Sequence, residues 1–513
     1  MWTGSVPGRR NNSERPCPSQ WMRRPCRIRY PGEFRRQVMQ TAKQIAKPHH
    51  MRKRMKRLTT ALMALALIFA AAAAALGADT GENIPDLADI RVLDLATAKK
   101  IALANNPTIE AAAHRVEQAA QRVRQAGSAY LPRLDANAQA ARVALSADAY
   151  TQALQQARFF DPATTVEDPA EHYKAGITAT WRMFDGFSRE FNHAASKYAR
   201  TAAQQSAADT RRLILSAVAQ AYNGAMLARE NVAIAQADVD FFARQVEEAK
   251  IRREIGTGSL SDVLSFQVGA NEAKSNVISA KQSYEVAMYG LAALLGAEDA
   301  AFAQRVELAH LNAESIKDLA APDAQLFLQK AKASRPDILR AEAAQYAAEA
   351  QVKSARGEYY PTIDLSAGYA GERTGDARFE QDDFGTTLAA TVNINLFAGG
   401  LIRAKVAEAK AAQNEARSIL RNTQTQAASE VLEAIAKVKA AQAELLLQRE
   451  NADLVRQNRD LVEMEYKAGQ ASLVTLKQAQ RDLVAAQGGL ASARVNLRQA
   501  WQDLHTSTGE DFF

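Results

Sequence analysis

Histidine is the side chain most often found binding a metal or moving a proton near neutral pH, and five follow residue 78: His114, His172, His193, His310 and His505. Each is isolated in sequence, without a cysteine or carboxylate at ligand spacing, so the pattern points away from a metal centre. Gly256-Thr257-Gly258 continues as Ser-Leu-Ser, not as the Gly-Lys-Ser/Thr that a phosphate-cradling loop needs. Both cysteines, Cys17 and Cys26, lie in the first fifty residues, which leaves the later chain no disulfide and no thiolate ligand. No catalytic constellation emerges, and the sequence reads as a non-enzyme without a cofactor.

What the chain has instead is duplication. Asn106-Pro107-Thr108-Ile109 running to Tyr130-Leu131-Pro132 and Asp135 returns as Arg335-Pro336-Asp337-Ile338 running to Tyr360-Pro361 and Asp364. Phe184-Asp185-Gly186 is echoed by Phe397-Ala398-Gly399, and Gly256-Thr257-Gly258-Ser259-Leu260 with Gln267 by Gly469-Gln470-Ala471-Ser472-Leu473 with Gln480. A unit of about two hundred residues is far longer than a solenoid repeat. The spacing predicts repeat 1 over 79–296 and repeat 2 over 326–513, with a small mixed linker over 297–325 packed around the middle of the helices.

Each repeat opens with an Ala- and Gln-rich helix, Asn106 serving as N-cap and Pro107 as the first helical residue. After Pro132 the period changes to two: Leu134, Ala136, Ala138 and Ala140 alternate with Arg133, Asp135, Asn137 and Gln139. A long polar loop is expected next, then a partner strand with Ala175, Ile177, Ala179, Trp181 and Met183 on its apolar face and Lys174, Thr178, Thr180 and Arg182 on the other. Repeat 2 alternates in the same way, most clearly at Leu388, Ala390, Val392, Ile394 and Leu396. Strands of about ten residues cross a bilayer when tilted, but the same pattern also suits a soluble sheet with one packed face. Nothing in the sequence covers the apolar faces, which favours lipid. Four strands cannot close a barrel, and open edges are not tolerated in lipid, so several chains must pool hairpins; three would supply twelve strands. Trp181, Phe184 and Phe187 cluster at a strand end, as an interface girdle or a structural cap would. Lys174 and Arg182 face the lumen of such a barrel, where they tune conduction or pair with other charges.

From Ser188 to Ile255 and from Arg403 to Ala468 the chain has no proline and almost no glycine, which predicts rods reaching about 100 Å. Leu213, Leu215, Val218, Tyr222 and Met226 form the expected apolar stripe. Each rod ends at a Gly turn, and a shorter helix returns, Ser259–Leu295 or Ser472–Thr506. This returning helix and the opening helix together nearly match the rod in length.

The ends explain the charge. Residues 1–50 are rich in Arg and Pro and read as an overcalled extension; residues 51–78 have the basic, apolar and small-residue order of a signal peptide. A transmembrane anchor is the competing reading of that run, which is short and alanine-rich for a span. Residues 1–78 hold 16 Lys and Arg against 2 Asp and Glu, so of the net +7 the remainder carries 7 − 14 = −7. The exported chain is acidic, and nucleic acid is an unsuitable partner.

Taken in order and in duplicate, these motifs resemble the outer-membrane efflux proteins, the TolC-like channels, over about residues 92–509. The resemblance implies an α+β membrane protein, a tandem-repeat protomer of long α-helices plus two β-hairpins. Three protomers would form a twelve-stranded barrel and a periplasmic α-helical barrel. It implies a homotrimer in outer membrane lipid that docks onto a periplasmic adaptor and an inner-membrane ABC or RND pump. The tip turns Gly256, Gly258, Ser259, Leu260, Gly469, Ser472 and Leu473 would be the docking site. Asp262 and Tyr466 match residues that bond to each other in the closed gate of such channels. Thr475 and Gln478 fall where those channels carry gate aspartates, a departure that argues against a strongly acidic constriction. Asp262 would line a ring of three or serve as a helix N-terminal charge; Tyr466 would be a gate residue or a packed aromatic. The competing readings are a periplasmic adaptor with coiled-coil hairpins, which would need lipoyl-like β segments, and a cell-wall hydrolase with helical arms, which would need a catalytic set.

Overall fold

The computed structural model describes residues 91–297, 301–309 and 314–510; the expected extension and signal peptide lie outside the described residues. Two copies of one unit follow each other, the first with an additional helix inside its hairpin. The first comprises β1 (Val92–Leu93), α1 (Leu95–Asn105), α2 (Pro107–Ser128), β2 (Arg133–Val143), α3 (Ala147–Phe160), β3 (Ala170–Phe184), α4 (Ser188–Glu254) and α5 (Leu260–Leu295). A helical turn α6 (Phe302–Arg305) and β4 (Glu307–Leu308) lead into the second: α7 (Ala324–Ser334), α8 (Pro336–Gly357), β5 (Thr362–Thr374), β6 (Phe384–Asn393), α9 (Leu401–Lys467) and α10 (Leu473–Thr508). The lengths repeat as well: α2 and α8 have 22 residues, α4 and α9 have 67, α5 and α10 have 36. At 1.5 Å per residue the long helices reach about 100 Å, and among the described residues no helix is long and apolar enough to cross a membrane.

The helices form because strong helix formers run without interruption and their ends are capped. Asn106 accepts from Thr108 N at 2.9 Å, Ser259 from Asp262 N at 3.1 Å and Ser472 from Thr475 N at 3.1 Å. Leu215, Val218, Tyr222 and Met226 are buried at spacings of three and four. Leu213, which the sequence reading placed on that stripe, is 53% exposed; two residues from Leu215, it points to the opposite side of the helix. The segment between β2 and β3 is also not the polar loop expected. Ser146 caps α3 at Ala149 N, Asp148 sits in its first turn and Arg158 in its last, so capping, dipole charges and Ala, Gln and Leu content all favour a helix.

The four long strands make one antiparallel sheet in the order β2-β3-β5-β6. β3 pairs β5 along its length, which joins the two hairpins and leaves β2 and β6 as edges. A two-stranded parallel ladder, β1 with β4, ties the start of the chain to the linker. Three cores line the helices: one under the linker around Tyr222, Met288 and Phe302, one around Phe327, Val438 and Leu497, and one near the tips around Phe241, Phe266 and Leu476. The Tyr222 phenol donates to Leu93 O at 3.1 Å, and burial pushes it up to about 12.

Where β3 gives way to α4, backbones cross so closely that only glycine fits. A Cβ on Gly357 would meet Ser188 Oγ at 2.2 Å and Gly186 O at 2.7 Å, and one on Gly186, itself at φ +66°, would meet Gly357 O at 2.2 Å. Ser188 Oγ and Ser354 Oγ each donate to the other's carbonyl across this crossing. Gly357→Ala is expected to lose about 1–3 kcal/mol by overpacking, seen as a lowered midpoint in thermal unfolding of the detergent-solubilised protein. Gly385→Ala, with open space around it, serves as the control and should leave the midpoint nearly unchanged.

Candidate functional site: a bore, two girdles and the helix tips

Side chains alternate across the sheet, so strand parity sorts them. One face carries Leu134, Ile177, Leu365, Leu388 and Val392, with Leu134 72% and Leu388 74% exposed. The other carries Asn137, Gln139, Gly176, Thr178, Ser366, Gly368 and Thr387, with charges at either end. A ladder that buries neither face, and ends on two unpaired edges, is unfinished as a single chain.

Aromatic side chains bound the apolar face at both ends. At the helix end Trp181 Nε1 donates to Tyr130 O at 3.0 Å, and Phe184 packs edge-on against Phe187 at 5.4 Å. Phe187 holds φ +66°, where the second repeat has Gly400 at φ +87°. At the far end a second band, not foreseen from sequence, is formed by Tyr369, Phe384 and Phe379, with Tyr173 of β3 on the same face; Tyr369 stacks on Phe384 at 5.2 Å. Tyr173 and Trp181 lie eight residues apart on β3, about 26 Å along the strand. Arg189 fastens the helix end. It donates to Ala129 O and Met183 O, pairs with Asp185 at 3.4 Å and lies over the Tyr130 ring at 5.1 Å.

On the polar face Lys174 and Arg182 are both paired, with Glu372 at 3.0 Å and Asp364 at 2.9 Å directly across the β3–β5 ladder. The sequence could not pick out those carboxylates, because the pairing of strands from different repeats is not encoded locally. His114, His172, His193 and His505 are dispersed, and among the described residues no group of three or more His, Cys, Asp or Glu is placed to hold a metal ion. His114 does have carboxylates in reach, Glu110 and Glu117 at 3.6 Å, contrary to the reading that it stands apart, but all three are solvent-exposed on α2.

At the opposite extreme the two helix tips have the same construction. Gly256 and Gly469 take φ +80° and +79°, and Gly258 N and Gln470 N close the turns onto Arg252 O and Glu465 O. A Cβ on Gly258 would meet Arg252 Cβ at 2.9 Å. Ser259 and Ser472 cap the returning helices; Leu260 is exposed, and Leu473 packs on the tip core. Tyr466 is held on one side by Phe266, edge-on at 6.0 Å, and on the other by the Arg252 guanidinium at 4.9 Å. Burial first, and then the charge of Asp262, raise the Tyr466 phenol above its ordinary range. Asp262 therefore acts on Tyr466 through its field, whereas Arg252, which sequence reasoning missed, makes the contact. Thr475 and Gln478 engage their own helix, Thr475 with Ser472 Oγ at 2.8 Å and Gln478 with Asp482 at 2.8 Å. A polar seam between α4 and α9 runs up from Tyr466: Lys467 to Glu248 at 3.4 Å, Gln245 to Glu463 at 3.3 Å, and Arg459 to Glu463 at 2.8 Å. Burial opposes ionisation of Glu463, but Lys467 and Arg459 outweigh it and hold the carboxyl below its usual range.

With this geometry established, comparisons show what the chain is similar to. Residues 99–297 and 327–510 match the family described as outer membrane efflux protein. The pyoverdine export outer membrane protein OpmQ of Pseudomonas aeruginosa is 26% identical over 410 residues, 80% of this chain and 83% of OpmQ. Protein CyaE of Bordetella pertussis is 27% identical, covering 84% and 85%. The crystal structure of the outer membrane protein VceC from Vibrio cholerae superposes with a TM-score of 0.67 at 21% identity, covering 81% of this chain and 96% of VceC.

Proposed function

The chain belongs to the outer membrane efflux protein family, and from that premise we propose that three copies close their sheets into one twelve-stranded barrel continued by a helical barrel. It is a TolC-like outer-membrane channel for efflux or type I secretion, seated in the outer membrane with its helices in the periplasm. The adaptor alternative gains no support from the comparisons. The observation that carries the trimer is the four-stranded sheet with both edges unpaired and an exposed apolar face: lipid requires every backbone group to be paired, and closure by further copies is what satisfies that.

In this reading the division at 79–296, 297–325 and 326–513 gives each protomer two quasi-equivalent arms and a belt. The channel has no power stroke of its own; it is a passive exit duct, and a periplasmic adaptor and an inner-membrane pump drive its cargo. The tips, with Leu260 exposed beside Gly256, Gly258 and Ser259 and the matching turn at Gly469, Ser472 and Leu473, are the adaptor-facing surface. Asp262, Tyr466, Thr475 and Gln478 lie at the periplasmic gate, with Arg252 on Tyr466 as the latch. Trp181, Phe184 and Phe187 mark the periplasmic membrane interface.

The test is the mass of the protein extracted in detergent from outer membranes, corrected for bound detergent, with conductance in planar bilayers. Three chains per particle and ion-conducting pores are expected. A monomer, or a species that stays in the aqueous phase, would overturn the duct.

A further inference from the structure

We infer that the bore of the barrel is electrically compensated, so that it passes solutes of either charge sign and leaves charge selection to the helix tips and the pump. This rests on the duct reading, which makes the polar face of the sheet the bore. Six charged residues occupy that face of the described strands: Arg133, Asp135, Lys174, Arg182, Asp364 and Glu372. Three are cations, three are anions, and each is in an ion pair within its own protomer: Arg133 with Asp135 at 2.8 Å, Lys174 with Glu372 at 3.0 Å, Arg182 with Asp364 at 2.9 Å. The pairs are not scattered. Lys174 faces Glu372 and Arg182 faces Asp364 at the same rungs of the β3–β5 ladder, so each lies across the strands and forms a neutral ring when three copies close.

Between those rings β3, β5 and β6 present small, uncharged residues, and β2 carries the third compensated pair, with Asp135 at the rung of Thr178 and Arg133 at that of Thr180. Gly176 faces Ala370, Thr178 faces Gly368 and Thr180 faces Ser366 on β3–β5, and Thr387, Ala389 and Thr391 continue on β6. The Gly176 position is so close to Ala370 that a Cβ would come within 2.6 Å of Ala370 Cβ, which keeps that rung free of longer side chains. His172, at the far rim, contacts Thr374 Oγ1 at 3.3 Å. Residues 79–513 as a whole carry −7, so neutrality of this one surface does not follow from composition.

Exposed pairs of this kind add little stability; their consequence is electrical. A charged ring inside a narrow, low-dielectric wall focuses its field along the axis and enriches counter-ions, and cancellation at the same height removes that field. Removing one partner exposes the other three times over in a trimer.

The experiment is the reversal potential of single channels in planar bilayers under a KCl gradient. Glu372→Gln leaves a ring of three Lys174 and should move the reversal potential toward that of chloride. Lys174→Gln leaves three Glu372 and should move it toward that of potassium, and the double variant should return to the parent value. Asp364→Asn and Arg182→Gln repeat the design at the inner ring, should one of the first variants fail to assemble. Single variants that keep the parent reversal potential, or that shift it in the same direction, would overturn the compensated bore while leaving the duct intact. A parent protein that forms no pores would instead remove the duct itself.

Discussion

Arg252→Ala and Tyr466→Ala should each convert a mostly closed channel into a mostly open one, read as a large rise in the time-averaged conductance of single channels in planar bilayers. Arg252 ends the first long helix and Tyr466 the second, and the guanidinium lies 4.9 Å from the ring centre. A cation–π contact of this sort is worth about 1 kcal/mol when partly buried. If three protomers move together, about 3 kcal/mol is lost from the closed state, which changes the closed-to-open ratio by about two orders of magnitude. Tyr466→Phe keeps the ring but loses the phenol oxygen that Arg252 also reaches, and should conduct between the parent and Tyr466→Ala. Asp262→Ala should have a smaller effect than either alanine variant, because Asp262 reaches Tyr466 through its field alone. Equal conductance in the parent, Arg252→Ala and Tyr466→Ala would place the gate elsewhere.

The motion this requires is confined by the rest of the fold. Above the tip core the linker straps the arms together: Glu314, its side chain 1% exposed, pairs with Arg449 of α9 and with Arg494 of α10 at 3.3 Å, and Gln442 Nε2 donates to Asp318 O and Ala320 O at 2.9 Å. Arg229 of α4 donates to Leu308 O and Ala309 O on the same linker. The α4–α9 seam at the tips is more exposed by comparison, with the Lys467 and Glu248 side chains 43% and 38% exposed, and exposed polar contacts between rods can exchange for water as they part. Opening is therefore expected to pivot below the linker and leave the sheet undisturbed.

What could be read from the sequence is what depends on local order. The 67-residue helices follow from the absence of proline, the strands from their alternation, and the tips from Gly, Ser and the duplicated spacing. What could not be read depends on which distant segments meet. β3 pairing with β5 fixes the partners of Lys174 and Arg182, and nothing local to either strand states that register. Arg252 was overlooked because its partner lies on the other repeat, 214 residues away by number. Leu213 was misplaced because an apolar count over a helix with two contact faces does not separate positions two apart. The helix α3 hid in a polar segment whose glutamines suit a helix as well as a loop. The far aromatic band escaped because Tyr369, Phe379 and Phe384, with Tyr173 on the same face, come together only when the sheet forms.

The duplication also shows where stability is concentrated, and the prediction is that Arg335→Met loses about 3–5 kcal/mol, the cost of leaving the Asp337 carboxylate, whose side chain is 15% exposed, without its partner. In the first repeat Asn106, just before Pro107, donates through Nδ2 to Leu294 O near the end of the returning helix at 2.8 Å. In the second, Arg335, just before Pro336, reaches the corresponding carbonyl, Ser507 O, at 3.0 Å. The capping glycines repeat too: Gly296 lies against Asn105 O and Gly509 against the Arg335 backbone, both at positive φ. One corner thus closes each arm, but only the second uses a charge. Arg335 is 2% exposed and also binds Asp337 and Glu430 at 2.7 Å each. Burial opposes ionisation of Asp337, yet the Arg335 hydrogen bonds and charge outweigh it and hold its carboxyl below the ordinary 3.8. A depressed carboxyl stabilises the fold above its unfolded value and loses that contribution as pH falls through the folded one. The parent should therefore lose stability on acidification below about pH 4, and Arg335→Met should lose it less steeply there, being already weakened at neutral pH. Thermal unfolding midpoints of the detergent-solubilised protein across that range check both parts, and parallel acid limbs in parent and variant would exclude Asp337 as the linked group.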